Sequence, residues 1–566
     1  MGSELGLTAD SKPQADYSPI SIWWAVWGSF WTVAVALGMA YLIKRRDTPL
    51  LRIRSLGLSL SAIALLHLYF TAVQFGSMYG ALMPGDAQYW IMGTYLPCGM
   101  ALFHGSNSYF LHVAKLQKRF APYETRRVDP AAYSKRKPGL ISLFRRLDYT
   151  TRVVVLVVIA MAIQIFLTVL MWVISRKFHR SWGIPGTEVY GSEMAQKTEQ
   201  GRGWEWWPGV FSQVFWAWIV APIILWRSRN IHDTQGWRVQ TIACAIAGLP
   251  GTPMWLIALY VPGMEPVNKY LIPPQWLCFS ILAIEICTVF IPCWEVMRHQ
   301  SLRQETLDAI AQWEKRTKGN NADDKSLGST ATMVDSMLSG WKSTNGSVKT
   351  NSSARESILN MSALEYVLDR NPTPLQKFSA LNDFSGENVA FLTSVTEWKA
   401  VIPPALRGVT EKDDSSKESI RACFNQALFI YAEFISVHHA EFPVNISSHD
   451  LKKLDSIFEE PARILFGNGG SADTDPATPF NKSTFDFDAR PSPIYSEFSQ
   501  SSVSAIKERA QYWGEVPAAF DATVFDDAEK SIKYLVLTNT WPKFIRSQRR
   551  ISVDSAETLR STTELV

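Results

Sequence analysis

The chain has 566 residues, 56 Lys and Arg against 52 Asp and Glu, and a formal charge of +4. So small an excess over this length gives no footing for nucleic acid, and the length leaves room for several domains. The 47% hydrophobic content is unevenly spread, with residues 20–297 dense in Trp, Leu, Ile and Val and residues 298–566 holding most of the acids, serines and asparagines. That division predicts an all-α chain made of two materials, a bundle of apolar helices and a water-soluble helical half.

Residues 1–19 carry no basic run ahead of the apolar segment that follows, so they read as an extracellular arm rather than a cleaved signal. Seven apolar segments follow, near 20–43, 56–80, 88–114, 153–175, 205–226, 239–262 and 271–297. Each approaches the roughly 20 residues that cross a bilayer as a helix, which makes 20–297 a seven-helix transmembrane domain. Pro250 and Pro253 predict a bend in the sixth segment. The first, third and fifth loops hold 19 Lys and Arg, against 7 in the N-terminus and the remaining loops. Positive loops face the cytosol, so the N-terminus is expected outside and the C-terminus inside. Arg176 and Lys177, ending the fourth segment, are the local conflict. The basic third loop either sets this topology or draws anionic lipid headgroups, at about 1 kcal/mol per basic residue near the surface.

Four polar residues, His67, Gln74, His104 and Glu285, fall inside apolar segments. A mid-bilayer carboxylate is costly and points to proton or ion coupling, against the plainer reading of a hydrogen bond between helices. A retinal pigment is excluded, because the seventh segment has no lysine for a Schiff base. No ligand for the outer face can be read from the residues.

Residues 298–360 read as a juxtamembrane helix running into a Ser/Thr/Asn-rich linker, and helical periodicity returns over 361–547. A charged loop at 404–417 and a polar insert at about 467–502 interrupt it. The tail, 548–566, has the character of an unstructured segment, with Ser552 in a basic-directed phosphorylation pattern, "RRIS". No Walker loop, G-x-S-x-G or Cys/His set appears, so no catalytic residue, cofactor or metal is expected. His438 and His439 beside Glu441 read as a solvated face, since adjacent helical residues point about 100° apart.

The stretch "FSGENVAFLTSVTEWK" (384–399) places Val389, Leu392, Val395 and Trp398 on one helical face. Ser385 suits the N-cap and Glu387 the positive end of the helix dipole, whereas Asn388 gains little locally. The stretch resembles the signature of the regulator of G-protein signalling (RGS) domain. Three more blocks follow that family's order: "ALEYVLDRNPTPLQKFSALNDF" (363–384), "FIYAEFISVHHAEFPVNIS" (429–447) and "VFDDAEKSIKYLVLTNTWPKFIRS" (524–547). The joint architecture resembles the membrane-anchored RGS proteins of fungi and plants: a seven-helix transmembrane bundle followed by a cytosolic all-helical RGS domain.

The resemblance implies a GTP-bound Gα subunit as partner, gripped by Ser385, Glu387, Asn388, Asn445, Leu535, Asn539, Thr540 and Lys543. Where the family usually has Asp, Ser and Arg, this chain has Asn539, Thr540 and Lys543. Asn539 lacks an anionic acceptor, and Lys543 lacks the planar fork of Arg. Catalysis would belong to Gα, which carries its own arginine and glutamine and alone turns over at about 0.01 per second. A partner that holds the switches better in the transition state than in the ground state accelerates the step without catalytic groups of its own. The alternatives are a receptor-like sensor with built-in RGS feedback, a Gα scaffold that does not accelerate, and a transporter using Glu285.

Overall fold

The computed structural model describes residues 12–121, 149–179, 181–301, 304, 359–407, 414–466 and 511–548. Most of the third basic loop, nearly all of the linker, the insert at 467–502 and Ser552 lie outside them. The described residues are mostly helical and contain no strand, only an isolated bridge between Ser175 and Ile184.

Among the described residues the apolar half has seven long helices, α1 (Pro19–Lys44), α2 (Leu56–Tyr79), α3 (Ala87–Gln117), α4 (Tyr149–Ile174), α5 (Trp204–Ser228), α6 (Trp237–Tyr260) and α7 (Gln275–Ser301), with short helices in the connections at Pro49–Arg52, Glu193–Gln200 and Glu265–Asn268. Among the described residues six of these, all but α3, are long and apolar enough to cross a membrane. Helix α3 is long enough at 31 residues, but Gly93, Pro97, Gly99, Gly105, Ser106 and Asn107 dilute its apolar content, and all six are buried. It packs between α2 and α4, so its neighbours are helices, and small residues let their backbones approach. That central position accounts for its less apolar composition.

Pro19 at the first turn and the Ser18 hydroxyl, which accepts from the Ser21 N–H, start α1. The predicted bend falls in α6, where Trp237–Gly248 and Gly251–Tyr260 are separate helical pieces on either side of Pro250. The local charge conflict after α4 is neutralised by carboxylates. Arg176 pairs with Glu188 at 2.8 Å and Lys177 with the buried Glu205 at 3.0 Å.

The polar half comprises α8 (Met361–Arg370), α9 (Thr373–Phe378), α10 (Gly386–Ala400), α11 (Asp414–Ile430), α12 (Ser448–Phe466) and α13 (Asp526–Leu535). π-Helical turns extend α9 over Ser379–Asp383, α11 over Tyr431–Ile435 and α13 over Val536–Thr540, after which 541–548 continue as helix. The loop expected at 404–417 is shorter, with α11 under way at Asp414. Asn360 caps α8 by accepting from the Ala363 N–H at 2.8 Å. Val389, Leu392, Val395 and Trp398 are all buried, as their spacing predicts, and join Phe424, Tyr431, Phe458 and Phe525 in one core. The Trp398 indole donates to the Cys423 carbonyl at 3.0 Å, so this large side chain is buried without an orphaned N–H.

Candidate functional site

Two polar clusters stand out, one within the apolar bundle and one where the two halves meet. In the bundle Glu285 is fully buried at the start of a π-turn in α7. The Trp31 indole donates to Glu285 Oε2, and His67 Nδ1 lies 2.8 Å from Oε1. On its other side His67 Nε2 is 3.0 Å from the Thr32 hydroxyl, which donates to the Gly28 carbonyl at 2.7 Å. A hydroxyl has one proton, so Thr32 accepts from His67. These contacts clasp α1, α2 and α7 around a carboxyl that is partnered on both oxygens. Gln74 Oε1 and both ring nitrogens of His104 are buried without a hydrogen-bond partner, and His104 stacks on Trp216 at 5.5 Å.

At the far end of α3, a cleft is lined by Tyr89, Thr168, Glu205, Trp206, Gln213 and Trp255. No group of three or more His, Cys, Asp or Glu placed to hold a metal occurs among the described residues.

The second cluster is centred on Asp383, a fully buried carboxylate that the sequence had not singled out. Four side chains donate to it: Lys543 at 2.7 Å, Thr540 at 2.9 Å, Ser385 at 2.9 Å and Thr234 at 3.0 Å. Burial pushes the Asp383 pKa up, but the adjoining Lys543 ammonium and the hydroxyl donors outweigh it and hold the carboxyl below its usual range. Ser385 thus does not cap α10 as predicted; its hydroxyl is used by Asp383. Three candidate residues from distant blocks, Ser385, Thr540 and Lys543, meet on this one carboxylate.

Glu387 and Asn388 follow in the first turn of α10. Gln117, at the end of α3, donates through Nε2 to Glu387 at 2.9 Å and accepts from the Gly386 N–H at 3.0 Å. Gly386 allows this approach, since a Cβ there would lie 2.8 Å from the Phe120 Cβ and 2.9 Å from the Ala380 backbone. Asn388 Nδ2 donates to Glu387 at 3.1 Å, but its Oδ1 is buried with no hydrogen-bond partner. An orphaned buried acceptor costs about 1–3 kcal/mol. Asn388 itself is buried, next to the Gly386–Glu387 turn that the end of α3 covers.

The remaining candidates are more scattered. Asn445 is exposed, in a loop held by the Val444 N–H bond to the Phe434 carbonyl at 2.8 Å. The same loop carries Phe442, whose ring is 6.4 Å from Phe120. Asn539 hydrogen-bonds the His299 side chain, and Leu535 packs against the edge of the core. The chain matches no known family, no curated protein and no solved structure, so its residues and their geometry carry the functional reading.

Proposed function

We propose that the chain is a membrane-anchored regulator of G-protein signalling, whose polar half grips the switches of a Gα subunit and accelerates its GTP hydrolysis. In this reading 20–297 is a seven-helix transmembrane domain with its N-terminus outside, and 361–547 is a cytosolic RGS domain. The observation that carries it is convergence: Ser385, Thr540 and Lys543, up to 158 positions apart in the chain, meet on Asp383. Glu387 and Asn388 lie on the adjoining turn.

Two further features support it. The orphaned Asn388 Oδ1 makes poor sense as part of a finished fold, and good sense as an acceptor that a partner satisfies. The basic loops before α2 and before α6 lie at the end of the bundle where the polar half sits, the cytosolic end by charge, where a lipid-anchored Gα also resides. In this reading the polar half supplies no catalytic group of its own, and acceleration comes from preorganising the Gα glutamine and switches, about tenfold for each 1.4 kcal/mol of differential binding.

The test is single-turnover GTP hydrolysis by purified Gα subunits, with and without a 355–550 fragment and its Asn445→Ala form. The reading expects the parent fragment to accelerate at least tenfold and the variant to lose most of that. A fragment that binds Gα and leaves its rate unchanged would make the protein a scaffold; one that does neither would remove the reading.

A further inference from the structure

The face assigned to Gα is not open. Gln117, Arg119 and Phe120, at the end of α3, lie across it. Gln117 holds both the Gly386 N–H and the Glu387 carboxylate, Phe120 packs against Gly386 and Phe442, and Arg119 reaches Glu441 at 2.5 Å. From the α5–α6 connection, the Thr234 N–H donates to the Asn382 carbonyl at 2.8 Å and Gln235 Nε2 to the Asp383 carbonyl at 2.6 Å.

Between these contacts Phe384 enters the apolar bundle. Its φ of 51° lies in the left-handed region, uncommon for any residue but glycine, and its buried ring joins Phe110, Val113, Ala114 and Trp237. A strained aromatic anchored among residues of the other half is a specific joint rather than a chance touch.

Resting on the RGS reading above, we infer that the transmembrane half acts as an intramolecular inhibitor: the cytosolic ends of α3 and of the α5–α6 connection cap the Gα-binding face. Gα has to approach the turn that Gln117, Phe120 and Gln235 already occupy, so the docked state excludes it. The contacts fit a releasable device. They are mostly hydrogen bonds and one exposed ion pair around a small apolar anchor, and Asn388 is left incompletely satisfied within them. They are also linked to the bundle, because Arg54, in the α1–α2 connection, donates to the Gln235 carbonyl at 3.0 Å and to Gln240 at 2.8 Å. A rearrangement of the helices that draws Arg54 or the end of α3 away would withdraw the cap from Asp383 and Gly386 together, which gives the bundle a purpose beyond anchorage.

The experiment uses the full chain in lipid nanodiscs, unmodified and as Arg119→Glu/Phe120→Ala. Both changes lie outside the Gα-binding residues. Gln117→Ala serves as a gentler second variant. Two quantities are read: hydrogen exchange of the amides at 384–388, and single-turnover GTP hydrolysis by added GTP-loaded Gα subunits. The expected result is at least tenfold faster exchange at Gly386 in the variants, with at least tenfold more acceleration than by the unmodified chain. Equal acceleration by unmodified and altered chains would overturn the inhibition and leave the RGS reading standing. Unchanged exchange at Gly386 in both variants would overturn the cap itself. Faster exchange with no acceleration and no Gα binding in any form would remove the RGS reading, and the inhibition with it.

Discussion

The two halves are built from the same element and solve opposite problems. In the polar half most large apolar side chains are inside: Phe458 is 0% exposed and sits among Phe424, Tyr431 and Phe525. In the apolar half Trp23, Phe30, Phe166 and Phe211 face outward, Phe166 at 63% exposure, while Gln74, His104 and Glu285 are buried. Water drives the first arrangement. Six of the apolar helices could cross a membrane, and in lipid that force between helices would be absent, leaving hydrogen bonds and close backbone approach to hold the bundle. The comparison shows that solvent, not helix propensity, decides which face of each helix turns inward.

Substitutions break this comparison most sharply at aromatic positions. Phe458→Ala should cost about 3–5 kcal/mol of unfolding free energy, measured by denaturant on the polar half. Phe166→Ala, facing outward from α4, should change the unfolding free energy in micelles by no more than about 0.5 kcal/mol. Similar losses at both sites would mean that α4 faces protein rather than lipid.

Next in size is Glu285→Ala, which strips His67 of its buried partner. A broken buried pair costs about 3 kcal/mol or more, and Glu285→Gln should recover part of that by keeping the Trp31 bond. Thermal unfolding in micelles distinguishes the two. A transport role for Glu285 would instead appear as pH-dependent flux that the Gln form abolishes.

Close packing gives a smaller effect. A Cβ at Gly38 would lie 2.6 Å from Val289 Cγ1, so Gly38→Leu should cost about 1–3 kcal/mol by forcing α1 from α7. In the polar half the corresponding close approach is at Gly386, where a Cβ would lie 2.8 Å from the Ala380 Cβ, and the bond from Trp398 to Cys423 fixes α10 on α11.

The joint between halves responds to pH. Asp383 is held below its usual value of 3.8 in the folded chain, so the folded state binds fewer protons there than the unfolded one. Its contribution is fully present above that value and fades as pH falls through the lower folded one. Loosening of the joint, read as exchange at Gly386, should therefore be confined to strongly acidic solution. Small as well is the effect of Arg119→Ala, which removes a half-exposed pair with Glu441 worth up to about 1 kcal/mol and screened by salt.

Much of this was legible in the residues. Six of the apolar segments fall on helices long and apolar enough to cross a membrane, the prolines mark the break in α6, and the 389–398 spacing identifies a buried face. Helix α3 escaped a hydropathy criterion because its glycines and polar residues serve neighbouring helices. Asp383 stood inside a quoted block without notice, because its donors come from positions 234, 385, 540 and 543, and no local pattern unites them. Ser385 was read as a cap for the same reason: local sequence favours that use, and a distant carboxylate competes for the hydroxyl. The capping of the candidate face by Gln117 and Phe120 had no signal at all, since it joins segments 269 positions apart.

The most direct measurement is the affinity of the 355–550 fragment for Gα in its GDP–aluminium fluoride and GDP forms. The account predicts binding at least a hundredfold tighter to the fluoride form, which mimics the geometry of phosphate loss. Equal affinity for the two would contradict it.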